Sequence, residues 1–94
     1  MGAVGTATLD FGAAPGSNTA ETTVTGQSAI VSGSHVEAFL MSEASADHNE
    51  VEHRIAAGAI ALTCGQVTAG TGFVIYGVSE LRLSGAFNVR WVWV

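Results

Sequence analysis

The chain has 94 residues, 48% hydrophobic and only 12% charged, about half the usual charged share. Eight acids against three arginines, with no lysine, give a net charge of −5. No basic footprint is left to neutralise phosphates or to sit on an anionic membrane, so neither nucleic acid nor a membrane surface is expected as a partner. No apolar run approaches the ~20 residues of a membrane span, and the start, Met1 to Thr8, lacks the basic residue and apolar core of a signal peptide. The single cysteine, Cys64, allows no internal disulfide and reads as a small buried hydrophobe. A domain of this length buries roughly 60–70% of its unfolded surface. With so few charges to cover the rest, neutral surface is expected to face a partner.

Gly, Ala, Thr, Ser and Val set the tone of the chain, which favours short strands joined by tight turns. The first strand is expected over Gly5 to Phe11, with Ala7, Leu9 and Phe11 on one face. Residues 12–18, which include Pro15, read as a turn, and a second strand follows from about Thr19 to Thr25. Residues 26–34 connect it to a third strand, His35 to Met41, with Ile30 as the inward anchor of the connection. Both faces of that third strand hold apolar residues, which predicts cover on both sides. After a polar loop, Ser42 to Asn49, alternation of Val51, His53 and Ile55 with Glu50, Glu52 and Arg54 predicts a fourth strand over Glu50 to Ala56. Strands are expected at about Ala59–Val67 and at Gly72–Ser79. The last runs from Gly85 to Val94, with Phe87, Val89, Trp91 and Trp93 on one face and Asn88, Arg90, Val92 and Val94 on the other. Two large indoles so near the end make this a docked, central or interface strand. Six or seven short strands in one domain, residues 1–94, predict an all-β antiparallel sandwich.

The densest polar cluster is Asp47-His48-Asn49-Glu50-Val51-Glu52-His53. Carboxylates beside imidazoles are the residue types that bind metals. The spacing, however, matches neither the HExxH zinc pattern nor its inverse. On a strand the two histidines would point to opposite faces. The cluster is therefore read as a solvated acidic loop leading into a strand, and no metal or cofactor is expected. There is no GxSxG elbow, and Gly70-Thr71-Gly72-Phe73 lacks the rest of a dinucleotide or P-loop fingerprint, so no enzymatic activity is expected. Asp47, His48 and Arg82 remain as residues of a possible ligand loop, and Phe39, Met41, Tyr76, Arg90, Trp91, Val92, Trp93 and Val94 as an oligomer or partner interface.

Several segments together resemble small structural proteins of tailed bacteriophages and prophages: Gly5-Thr6-Ala7-Thr8-Leu9-Asp10-Phe11-Gly12-Ala13, Val24-Thr25-Gly26-Gln27, Val36-Glu37-Ala38-Phe39-Leu40, Asp47-His48 with Glu52-His53, Gly70 to Gly77, and Leu83-Ser84-Gly85 through Val89-Arg90-Trp91-Val92-Trp93. The layout also looks like the H-type lectin sandwich, in which a final strand carries a tryptophan among alternating apolar residues. The resemblance implies a virion protein assembled in the host bacterial cytoplasm. It implies a capsid decoration or cement protein, or else a tail or fibre part, working as a homo-oligomer (a trimer by the lectin likeness) against the major capsid protein or other virion proteins. It also brings in carbohydrate as a ligand, although the lectin sugar contacts have no residue-by-residue match here.

Overall fold

The computed structural model describes residues 2–94; Met1, the first residue of the stretch read above for a signal peptide, lies outside the described residues. Six strands and one helix follow in the order β1 (Ala3–Asp10), β2 (Ser17–Val24), β3 (Val36–Leu40), α1 (Glu50–Ala59), β4 (Ile60–Thr68), β5 (Gly72–Leu83) and β6 (Ala86–Trp93). The strands form two antiparallel three-stranded sheets, ordered β1-β6-β3 and β2-β5-β4. The fold is thus the small all-β sandwich that the spacing of turns and strands predicts.

The last strand explains the layering. β6 is the centre of its sheet, paired with β1 from Ala3↔Trp93 to Asp10↔Ala86 and with β3 from Val36↔Trp93 to Leu40↔Val89. Its period-two pattern sends Phe87, Val89, Trp91 and Trp93 inward, where all four are buried. β5 is the centre of the facing sheet and contributes Phe73 and Ile75. The Phe73 and Trp91 rings meet edge to face at 5.4 Å, so the two central strands touch across the core. Leu9, Phe11, Val24 and Ile30 complete it, Ile30 anchoring the 25–35 connection as its pattern predicts. Burying each such side chain contributes about 1.5–3 kcal/mol. The surface left over, 5247 Å², matches the roughly 5,100 Å² expected of a compact monomer of this mass. Neutral surface for a partner has therefore to be sought in particular patches, not in incomplete burial.

Gly5 is where packing dictates the residue. It lies on the inner side of β1 opposite Trp91, and a Cβ there would clash with the indole ring, 2.3 Å from its nearest atom. Through that gap the indole passes beneath β1 and donates its Nε1–H to the Thr6 carbonyl at 3.3 Å.

One element differs in kind from its expectation. Residues 50–56, expected as a fourth strand, form the first two turns of α1. The reason is local: the Asn49 side chain accepts the Glu52 N–H (2.9 Å) while the Glu52 carboxylate accepts the Asn49 N–H (2.8 Å), a capping box that starts a helix. Glu50 and Glu52 in the first turn add favourable charge at the positive helix end. The alternation that suggests a strand is accidental, because Val51 and Ile55 are exposed, whereas His53 and Ala56, three apart on the helix, are buried. Cys64 sits half-buried against the core, and burial raises its thiol pKa, with Glu37 adding to the rise.

Candidate functional site

Two regions gather the residues that the sequence singles out. The first is built where β3 stops short. His35 and Val94 exchange two backbone hydrogen bonds of 3.0 Å, so bonded pairs recur at Glu37↔Val92 and Phe39↔Arg90, and the next N–H of β6 to need a partner is that of Asn88. β3 has ended there. His53, fully buried one turn into α1, takes its place: Nε2 accepts the Asn88 N–H at 3.0 Å, and Nδ1 lies 3.0 Å from the Asn49 carbonyl, to which it must donate. The ring is thereby fixed as the neutral Nδ1–H tautomer.

His48 lies on the other side of Phe87. Its ring stacks on the Phe87 ring at 4.0 Å and 7°, while His53 meets the same phenyl edge-on at 5.3 Å. The two imidazoles come within 6.4 Å of each other, against the expectation that they diverge, because a helix and not a strand carries His53. His48 Nε2 donates to the Ser84 carbonyl at 2.7 Å, and its Nδ1 is 3.5 Å from the Glu52 carboxylate. Asp47 Oδ2 accepts the Ala86 N–H at 2.7 Å, and Ser45 Oγ donates to the Ala86 carbonyl at 2.7 Å. Between them Gly85 has φ +80°, a conformation that favours glycine, and a Cβ there would sit tightly, 3.0–3.2 Å from Asp47 and His48 side-chain atoms.

The cluster's polar atoms thus fasten the 42–49 loop and α1 to the β5–β6 turn. A shallow cleft of ≈ 330 Å³ remains at its rim, lined by Asp10, Gly12, Ala13, Asp47, His48 and Gly85 among others. Arg82, expected with Asp47 and His48 in a ligand loop, is exposed and is not among the cleft's lining residues. Among the described residues no three His, Cys, Asp or Glu side chains are gathered as a metal ion would need. Ser84 to Asn88, which supply most of the cluster's partners, carry no signal in the sequence beyond their place in a turn and strand.

The second region is the outer face of the β1-β6-β3 sheet. Register places Val4, Val92 and Glu37 in one row across it and Thr6, Arg90 and Phe39 in the next. Val4, Val94, Phe39 and Met41 are 77%, 68%, 43% and 41% exposed, so apolar side chains run along the face from end to end. Arg90 is held by the Glu43 carboxylate at 3.0 and 3.4 Å, and this hydrogen-bonded ion pair lowers the Glu43 pKa and raises that of Arg90. Of the eight residues expected at an interface, Phe39, Met41, Arg90, Val92 and Val94 share this face. Trp91 and Trp93 do not: at 6% and 3% exposure they belong to the chain's own core, because alternation turns them inward. Tyr76 lies on the other sheet, opposite Glu21 and Thr63. In comparison with known proteins, no family model, no curated sequence and no solved structure matches the chain.

Proposed function

We propose that this chain is a non-enzymatic structural protein of a tailed-bacteriophage virion. In this reading it is a capsid decoration or cement protein that joins copies of itself and contacts neighbouring capsid subunits. The observation that carries the assembly part is the apolar outer face of the β1-β6-β3 sheet, with Val4, Phe39, Met41 and Val94 exposed and Val92 half-buried among them, on a sandwich whose own core is complete. Buried apolar area contributes about 25 cal/mol per Å², and contacts repeated over a symmetric shell add through multivalency. The virion setting rests on the resemblance of the sequence segments quoted above. A tail or fibre part would use the same face.

A carbohydrate-binding module has less support. Its cleft would be the one beside Asp47 and His48, whose Oδ2 and Nε2 already serve the main chain of residues 84–86. The test is to mix the purified protein with undecorated capsids and measure bound copies. Saturation at a fixed copy number, lost in a Val4→Lys/Val92→Lys variant that still folds, is the expected result. A protein that leaves capsids bare overturns the decoration reading.

A further inference from the structure

A sandwich of two open sheets has four edge strands, and three of these edges are blunted. At β1 the outward Thr6 carbonyl is already taken by the Trp91 indole N–H. β2 is irregular at its start, where its register with β5 shifts between Ser17 and Thr19 across the extra β5 residues between Val78 and Leu83. β4 has a bulge between Gly65 and Thr68, where Gln66 adopts a left-handed φ of 48°. Bulges and capped edges are how sheets discourage further pairing. β3 has none of these: Val36-Glu37-Ala38-Phe39-Leu40 pairs with β6 in unbroken register and contains no proline, lysine or arginine.

The register also says which groups are free. Glu37 and Phe39 turn their backbone N–H and C=O toward β6, so Val36, Ala38 and Leu40 turn theirs outward. Among the described residues none of these outward groups has a partner in the chain. Donors and acceptors alternating along a straight edge fit another extended strand. Beside the edge, between β3 and β4, lies a groove of ≈ 260 Å³ lined by Ala38, Phe39, Leu62 and Cys64 among others.

We propose that this edge pairs with β3 of a second copy, antiparallel about a two-fold axis at Ala38, so that two β1-β6-β3 sheets become one continuous sheet. The segment is self-complementary in that register. Ala38 faces the partner's Ala38, and Val36 faces the partner's Leu40, each pair exchanging two hydrogen bonds and closing over the groove. On the outer face Glu37 falls opposite the partner's Phe39, so no like charges are directly opposed. The dimer lays two of the apolar outer faces side by side, which doubles the surface offered to a shell. The inference deepens the assembly reading above. Its test uses the free protein, so it can fail while shell binding stands, and the reverse.

Sedimentation equilibrium of the free protein reads the stoichiometry. A dimer is expected. Ala38→Pro removes only an outward N–H, a change an edge strand tolerates, and it should weaken the dimer about tenfold or more. Should that variant not fold, Phe39→Glu sets carboxylates opposite the partner's Glu37 and should weaken the dimer likewise, whereas adding Glu37→Lys to it should restore pairing by setting opposite charges face to face. A wild type that stays monomeric to about 1 mM or forms trimers overturns the proposal. So does dimerisation unaffected in a folded Ala38→Pro variant, or in the Phe39→Glu variant.

Discussion

His53 is the residue whose replacement asks most of the structure. Replacing it by leucine keeps most of the buried volume but removes the acceptor of the Asn88 N–H. The Asn49 carbonyl loses the ring Nδ1–H yet keeps the His53 backbone N–H at 3.1 Å, so one buried polar group, not two, is orphaned. Leaving such a group unsatisfied costs about 1–3 kcal/mol, and for a domain of this size each kcal/mol lowers Tm by roughly 4–8 °C. His53→Ala removes the same acceptor and also opens a cavity beneath α1, which by analogy with large-to-small core changes raises the loss to about 2–5 kcal/mol. Urea denaturation at unchanged m-value measures both losses, and amide hydrogen exchange at Asn88 shows whether the damage lies where the geometry puts it. The expected order of stability is wild type, then His53→Leu, then His53→Ala, with Asn88 exchanging faster in both variants. A leucine variant within about 0.5 kcal/mol of wild type, with the Asn88 amide still protected, would refute the assignment of the ring as the continuation of the β6 ladder.

Three further outcomes follow from particular contacts. Gly5→Ala drives a methyl into the Trp91 ring and breaks its bond to Thr6, so a loss of about 2–4 kcal/mol is expected from overpacking plus one hydrogen bond; an unshifted thermal melt would mean the indole does not run beneath β1. Asn49→Ala removes the cap that starts α1 and should cost about 1 kcal/mol, and far-ultraviolet circular dichroism should show frayed helix before the sheets melt. The Glu43 pKa is lowered chiefly by its hydrogen bond from Arg90. Its contribution to stability is therefore present above the ordinary glutamate range and is lost as pH falls through the lowered value. Carboxyl chemical shifts followed from pH 7 downward should show Glu43 titrating late in the wild type and in the usual range in Arg90→Gln, and identical titrations would remove the pair's role.

How much of this was readable in the chain depends on whether the signal was local. Phe87, Val89, Trp91 and Trp93 advertise β6 because a buried sheet face imposes period two whatever the rest of the fold does. The same rule misleads at Glu50 to Ala56, where alternation in residue type has no counterpart in burial: Val51 and Ile55 face solvent. There the deciding signal is the Asn49-to-Glu52 spacing of a capping box, equally local and present in the sequence. The candidate interface divides along the same line, since alternation correctly separates Arg90, Val92 and Val94 from the inward indoles, but large aromatic residues near a chain end look like contact surface until the facing sheet is in place.

The cluster around Phe87 lay beyond local reading for a different reason. Asp47, His48 and His53 stand out as chemistry-bearing residues, but their partners Ser84, Ala86 and Asn88 are some 35 to 39 positions away, and only the pairing order of the sheet brings them together. Once together, their roles follow from the shortness of β3. A five-residue strand against an eight-residue neighbour leaves ladder groups of β6 uncovered, and buried backbone donors must find acceptors. The acidic loop and the first turn of α1 supply them with an imidazole, a carboxylate and a serine hydroxyl. The residue types that suggest a metal or ligand site are thus accounted for by completion of a sheet, while the opposite edge of the same short strand keeps its donors and acceptors free.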